Sequence, residues 1–158
     1  YDLSKISIQS LRDNISYISQ NPYIFSDTVR SNIILENEQI MDEQIMELAR
    51  DIKVENILEK LPDGLDTIIN LSELSYGELQ VTAFMRAIVH KTNIYIFDEP
   101  TSNLDLKTEK MLQTIIDKIS KESTVIIVAH RKSTIANSDK IIYLNEGEID
   151  KIVNKRSI

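Results

Sequence analysis

Apolar positions along this chain fall into short continuous runs and longer stretches at helical spacing, and their order predicts an α/β domain. The continuous runs are Ile94-Tyr95-Ile96-Phe97 and Val125-Ile126-Ile127-Val128-Ala129, each of a length that suits a fully buried strand of a parallel sheet. An alternating, β-branched stretch, Ile15-Ser16-Tyr17-Ile18-Ser19-Gln20, predicts a short strand ending at Gln20, broken by Asn21-Pro22. Helical spacing then takes over. Asp27 is placed to cap a helix over residues 28–34 and Asp42 one over residues 43–52, while Val54, Ile57, Leu58 and Leu61 repeat before the turn Leu61-Pro62-Asp63-Gly64. A further helix from Ser75 carries Leu79, Ala83, Phe84, Ala87 and Ile88 on one face. Asp105 is the predicted cap of a long helix whose Thr108, Met111, Leu112, Ile115, Ile116 and Ile119 form a buried stripe opposite a Lys- and Glu-rich face. Residues 140–144 and Gly147-Glu148-Ile149 predict a closing strand, turn and strand, and the last six or so residues read as a loose tail.

Composition narrows the classes. A chain of 158 residues has one domain's worth of core, and 42% hydrophobic with 27% charged residues describes a globular protein. The net charge of −7, with no cluster of Lys and Arg, argues against a surface that tracks nucleic-acid phosphates. The longest clean apolar runs fall far short of the roughly 18 residues needed to cross a bilayer. With no cysteine, disulfides and thiol catalysis are excluded.

Two segments carry candidate chemistry. Ile94-Tyr95-Ile96-Phe97-Asp98-Glu99-Pro100 delivers two adjacent carboxylates at the end of a strand, where parallel sheets place their ligands. Two like charges there suit a site in which a divalent cation or a proton offsets one of them. A strand that ends in a solvated acidic turn fits the same residues. Ser75-Tyr76-Gly77-Glu78 opens a helix and fits a capping box, Ser75 to the Glu78 backbone and Glu78 reaching back. A helix N-terminus with a hydroxyl and a glycine also suits a phosphate.

Read in order, Gln20, Leu74-Ser75-Tyr76-Gly77-Glu78, Ile94-Tyr95-Ile96-Phe97-Asp98-Glu99-Pro100, Ser102-Asn103-Leu104-Asp105 and His130 resemble the Q-loop, signature motif, Walker B, D-loop and H-loop of ATP-binding cassette (ABC) ATPases. The resemblance runs from Leu11-Arg12 to Gly147, nearly the whole chain. Ser19-Gln20-Asn21-Pro22-Tyr23-Ile24-Phe25, followed by Asn32-Ile33, is similar to the nucleotide-binding domains of exporter-type transporters. The resemblance implies a partial RecA-like P-loop NTPase core, a mostly parallel sheet flanked by helices, over residues 1–23 and 93–158, with an α-helical signature subdomain inserted at residues 24–92. It implies ATP and Mg²⁺ as cofactors, with Asp98 and Gln20 at the metal and Glu99 as general base toward the attacking water. His130 would bond the γ-phosphate. Ser75, Gly77 and Glu78 would meet ATP held by a second nucleotide-binding domain, and Asp105 would help couple the two sites. The helical region would dock on a transporter's transmembrane domain, with Tyr23 and Phe25 as contacts or as core, on the cytoplasmic face of the cell membrane.

The sequence also departs from the family. It contains no glycine-rich loop ending in Gly-Lys-Ser or Gly-Lys-Thr, and Gly64, Gly77 and Gly147 are too scattered to supply one. The chain therefore resembles the C-terminal two-thirds of a domain, expected to bind ATP poorly alone, to leave an open sheet edge and to self-associate. Tyr76 stands where a glycine is customary, Glu78 where a glutamine is, and Val81 where an arginine often is. The stretch 68–73 is short for an exporter. A non-hydrolytic partner that completes another subunit's ATP site is the second reading. An ABC ATPase acting on ribosomes or DNA is disfavoured by the acidic charge.

Overall fold

The structure, a computed structural model, describes residues 2–70, 75–102 and 104–155, and of Tyr76 the backbone alone. The chain divides into two compact units, Tyr1–Val128 and Ala129–Ile158.

The first unit opens with a helix the apolar spacing did not predict. Ser7 accepts a hydrogen bond from the Ser10 N–H at 3.2 Å and so starts α1 (Ile8–Asn14), which passes directly into strand β1 (Ile15–Ile18). The strand stops two residues before Gln20, where the Ser19 hydroxyl donates to the Asn21 carbonyl at 2.9 Å and begins a turn. Helix α2 (Val29–Ile34) is capped by Thr28, whose Oγ1 accepts from the Ser31 N–H; Asp27 instead accepts from the Thr28 N–H. That helix starts one residue later than predicted, and helix α3 (Asp42–Asp51) one residue earlier. Met41 takes the cap position and the Gln44 side chain accepts from its N–H, leaving Asp42 in the first turn, where a carboxylate suits the positive helix end. A single turn, α4 (Glu55–Leu58), and a 3₁₀ turn at Gly64–Asp66 lead to the segment before helix α5 (Tyr76–Val89). Strand β2 (Ile94–Asp98), helix α6 (Leu106–Ile119) and strand β3 (Thr124–Val128) complete the unit.

The three strands form one parallel sheet in the order β1-β2-β3, with Ile18, Phe97 and Ile127 in one row and Tyr17, Ile96 and Ile126 in the next. Successive side chains point to opposite faces, so the two rows belong to different environments. Ile18, Tyr95 and Phe97 enter the core, where Phe97 stacks on Phe84 at 5.0 Å. Helix α5 is buried without a break from Gln80 to Met85, so it is a core helix and not the one-faced helix predicted; it packs against α2, α3, α6 and β1. In α6 the predicted stripe holds at Leu112, Ile115, Ile116 and Ile119.

Strand β3 departs from expectation. Its continuous apolar run predicts burial on both faces, yet Ile126 is 49% exposed and Val128 51%, in the same face as Tyr17 at 60%. Among the described residues of the first unit no layer packs over this face, and an apolar run is apolar whether or not its cover is present.

The second unit holds an antiparallel hairpin, β4 (Lys140–Asn145) with β5 (Glu148–Asn154), turned through Glu146 and Gly147, both at positive φ. Its pairing runs to Asn154, further than the loose tail predicted, and residues 156–158 lie outside the described ones. No helix among the described residues is long and apolar enough to cross a membrane.

Candidate functional site

At the carboxyl end of β2 the chain leaves the sheet through Glu99, whose backbone is left-handed at φ +47°. Three bonds fix that turn. The Glu99 N–H donates to the Val128 carbonyl at 2.8 Å, and the Ser102 N–H and hydroxyl both donate to the Glu99 carbonyl, at 3.1 and 2.9 Å. The adjacent strand end brings Gln20 to the same place, its Nε2 donating to Glu99 Oε2 at 3.2 Å. Asp98, one residue before, lies in the open face, where the Tyr17 hydroxyl donates to its Oδ2 at 3.0 Å. That bond, with smaller contributions from burial and from the carboxylate's charge, holds the Tyr17 proton above the ordinary phenol range. Gln20, Asp98 and Glu99 are thus gathered at one sheet end, the place an open α/β sheet offers a ligand. Among the described residues no three His, Cys, Asp or Glu side chains converge as a metal cage. Carboxylate and amide oxygens are nonetheless the hard donors that Mg²⁺ takes, one or two at a time, with phosphate and water completing its shell.

Helix α5 starts beside this turn. Ser75 and Glu78 form the predicted capping box: the Glu78 N–H donates to Ser75 Oγ at 3.3 Å, and Glu78 Oε2 accepts from the Ser75 N–H and hydroxyl at 2.8 and 2.7 Å. Gly77 lies against α6, where a Cβ would meet Thr108 Cγ2 at 3.3 Å. Asp105 caps α6, accepting from the Lys107 and Thr108 N–H groups and from the Thr108 hydroxyl at 2.7 Å. The Thr108 bonds are the largest cause of its carboxyl pKa lying below the ordinary value of 3.8. Leu74 and Asn103, counted in the signature and D-loop patterns, lie outside the described residues. His130 is exposed at the start of the second unit, two residues beyond β3.

Sequence reasoning named Tyr23, Phe25 and Asn32 behind Gln20 but passed over Arg86, which joins them. Asn32, fully buried, accepts from the Phe25 N–H at 2.8 Å and donates to the Phe25 and Thr28 carbonyls, closing the loop of residues 25–28 onto α2. Arg86 donates to the Asn32 carbonyl at 2.6 Å and the Tyr23 carbonyl at 2.8 Å, with its guanidinium 5.6 Å from the Phe25 ring centre. The signal was available, since Arg86 is the one charged residue in the apolar stretch 79–89. Tyr23 and Phe25 remain outward, 72% and 45% exposed, and Tyr23 lines a groove of about 610 Å³ together with Arg12, Tyr17, Leu35 and His90 among others.

Comparison with known proteins places the fold and the sequence in one family. A family profile described as ABC transporter matches residues 1–102. A probable multidrug resistance ABC transporter ATP-binding/permease protein of Bacillus subtilis is 38% identical over 151 residues, 94% of this chain and 22% of that protein. An ATP-dependent lipid A-core flippase of Chromobacterium violaceum is 38% identical over 149 residues, 93% of this chain and 26% of its own length. A solved structure of a bacterial Atm1-family ABC exporter with ATP bound superposes with a TM-score of 0.84 at 31% identity, covering 92% of this chain and 26% of that one. The chain spans about a quarter of the length of these relatives. Its parallel sheet, flanking helices and sequence all agree with them: this chain belongs to the ABC transporter family, in the ATP-binding portion that its exporters share.

Proposed function

We propose that this chain supplies part of the ATP-hydrolysing site of an ABC exporter. The observation that carries the reading is the contact between Gln20 and Glu99 at the sheet end, which sets an amide and a carboxylate from neighbouring strand ends side by side. Glu99 takes the proton of the water that attacks the γ-phosphate. Asp98 and Gln20 would hold Mg²⁺, which when bound neutralises charge on the β- and γ-phosphates. His130 bonds the γ-phosphate. Ser75, Gly77 and Glu78 face ATP on a second nucleotide-binding domain, with Asp105 near that junction. Residues 1–23 and 93–158 act as the RecA-like core and 24–92 as the signature subdomain. The groove edged by Tyr23 receives cytoplasmic helices of a transmembrane domain, on the cytoplasmic face of the membrane.

The phosphate-binding glycine loop is not among these 158 residues, and the open sheet face supports a part supplied from elsewhere. The isolated chain therefore binds ATP weakly and self-associates. A compact monomer in light scattering at micromolar concentration would overturn that.

The test of catalysis is Glu99→Gln in the full-length protein: turnover falls roughly 100-fold or more while ATP stays bound. Unchanged turnover removes Glu99 from the role of base. A second reading, a non-hydrolytic subunit that completes a partner's ATP site, is favoured by the Ser75 hydroxyl being engaged by Glu78. It predicts that the unaltered full-length protein binds ATP and hydrolyses none without a partner of different sequence.

A further inference from the structure

The turn that aims Glu99 has one more support, from outside the sheet. Gln80, on the second turn of α5 and 1% exposed, donates through Nε2 to the Pro100 carbonyl at 3.2 Å. A carbonyl only accepts, which fixes the orientation of the amide. Its other arm, Oε1, is buried and has no hydrogen-bond partner among the described residues. Packing alone would favour an apolar side chain of the same length, since an orphaned buried acceptor is destabilising. The polar residue sits beside a backbone that is itself constrained: Glu99 is left-handed and its peptide groups are bonded to Val128 and Ser102. Pro100 has no N–H, so its carbonyl is the one backbone polar group through which that residue can be held. The same helix end carries Ser75 and, three residues before Gln80, Gly77 packed on Thr108.

We propose that Gln80 is a positioning residue for Glu99, tying the first turns of the Ser75 helix to the turn that orients the carboxylate. This rests on the reading of Glu99 as the base. A shift of α5 at its Ser75 end is carried through Gln80 to Pro100, and so to the residue before it, without any contact between Gln80 and the nucleotide.

The test uses the full-length protein with Gln80→Met, which keeps the length of the side chain and removes both amide arms. It lowers kcat about tenfold, since a small misplacement of a reacting group is expensive, while the Kd for ATP and the thermal midpoint stay near those of the unaltered protein. Introduced into Glu99→Gln, the same change lowers the residual turnover less than about twofold, because residues acting as a unit are not additive. If the Met variant does not fold, Gln80→Asn, one carbon too short to reach Pro100, takes its place. A kcat within twofold of the unaltered protein overturns the proposal. So does an equal loss in both backgrounds, or a loss of ATP affinity and thermal stability that parallels kcat. Should Glu99→Gln alone leave turnover unchanged, the base assignment itself is wrong and the Gln80 proposal falls with it, a result read from that single variant.

Discussion

On one face of the sheet Ile18, Tyr95 and Phe97 are buried in the core, Phe97 stacked on Phe84 of α5; on the other, Tyr17, Ile126 and Val128 are about half or more exposed, with Asp98 on the same face beside Val128. The residues are similarly apolar, so composition does not separate the faces. What separates them is the presence of a helical layer, and the Asp98 carboxylate sits on the side without one. An exposed apolar patch of this kind marks a surface built to be covered.

The contrast is testable in order of size. Phe97→Ala removes the ring at the centre of the sealed face and lowers the stability of the folded chain by about 3–5 kcal/mol, read as the urea midpoint. A loss no larger than that of an open-face change erases the distinction. Arg86→Ala strips charged donors from the Asn32 and Tyr23 carbonyls, and the loss is about 2–3 kcal/mol with faster proteolysis in residues 21–28. Asp105 caps α6, which belongs to the same core as Phe97. Its carboxyl is depressed below 3.8 in the folded chain, so its contribution is complete above that value and is lost as pH falls through the lower folded value. Asp105→Asn therefore flattens the fall in stability below about pH 4, a smaller effect than the Arg86 change, measured by thermal melts across pH. The smallest effect belongs to the open face: Ile126→Thr alters the stability of this chain by no more than about 0.5 kcal/mol. If a longer protein covers that face, the same substitution made there costs several times as much.

Legibility followed the range of the interaction. Strand β2 and the cap at Asp105 were readable because a continuous apolar run and a local side-chain bond each lie within a few residues. The Ser75 box was readable for the same reason. The starts of α2 and α3 missed by one residue because Thr28 takes the cap of α2 in place of Asp27, and because Gln44 reaches back to the Met41 N–H and leaves Asp42 inside the first turn of α3. Helix α1 was missed because Ser7 is a weak signal before a mixed stretch. The burial of β3 was misread because exposure depends on what lies over a strand, which no periodicity encodes. Asn32 and Arg86 meet across 54 positions, and Gln20 and Glu99 across 79. Only family resemblance placed the second pair; nothing local could have.

Glu99 has a further consequence through its backbone. A side-chain-bearing residue held at φ +47° is strained by roughly 1 kcal/mol or more, and glycine would sit there without complaint. Selection for thermostability alone would thus push position 99 toward glycine, at the loss of the carboxylate. Position 99 thus gives up a small amount of stability and keeps a carboxylate at the end of the sheet.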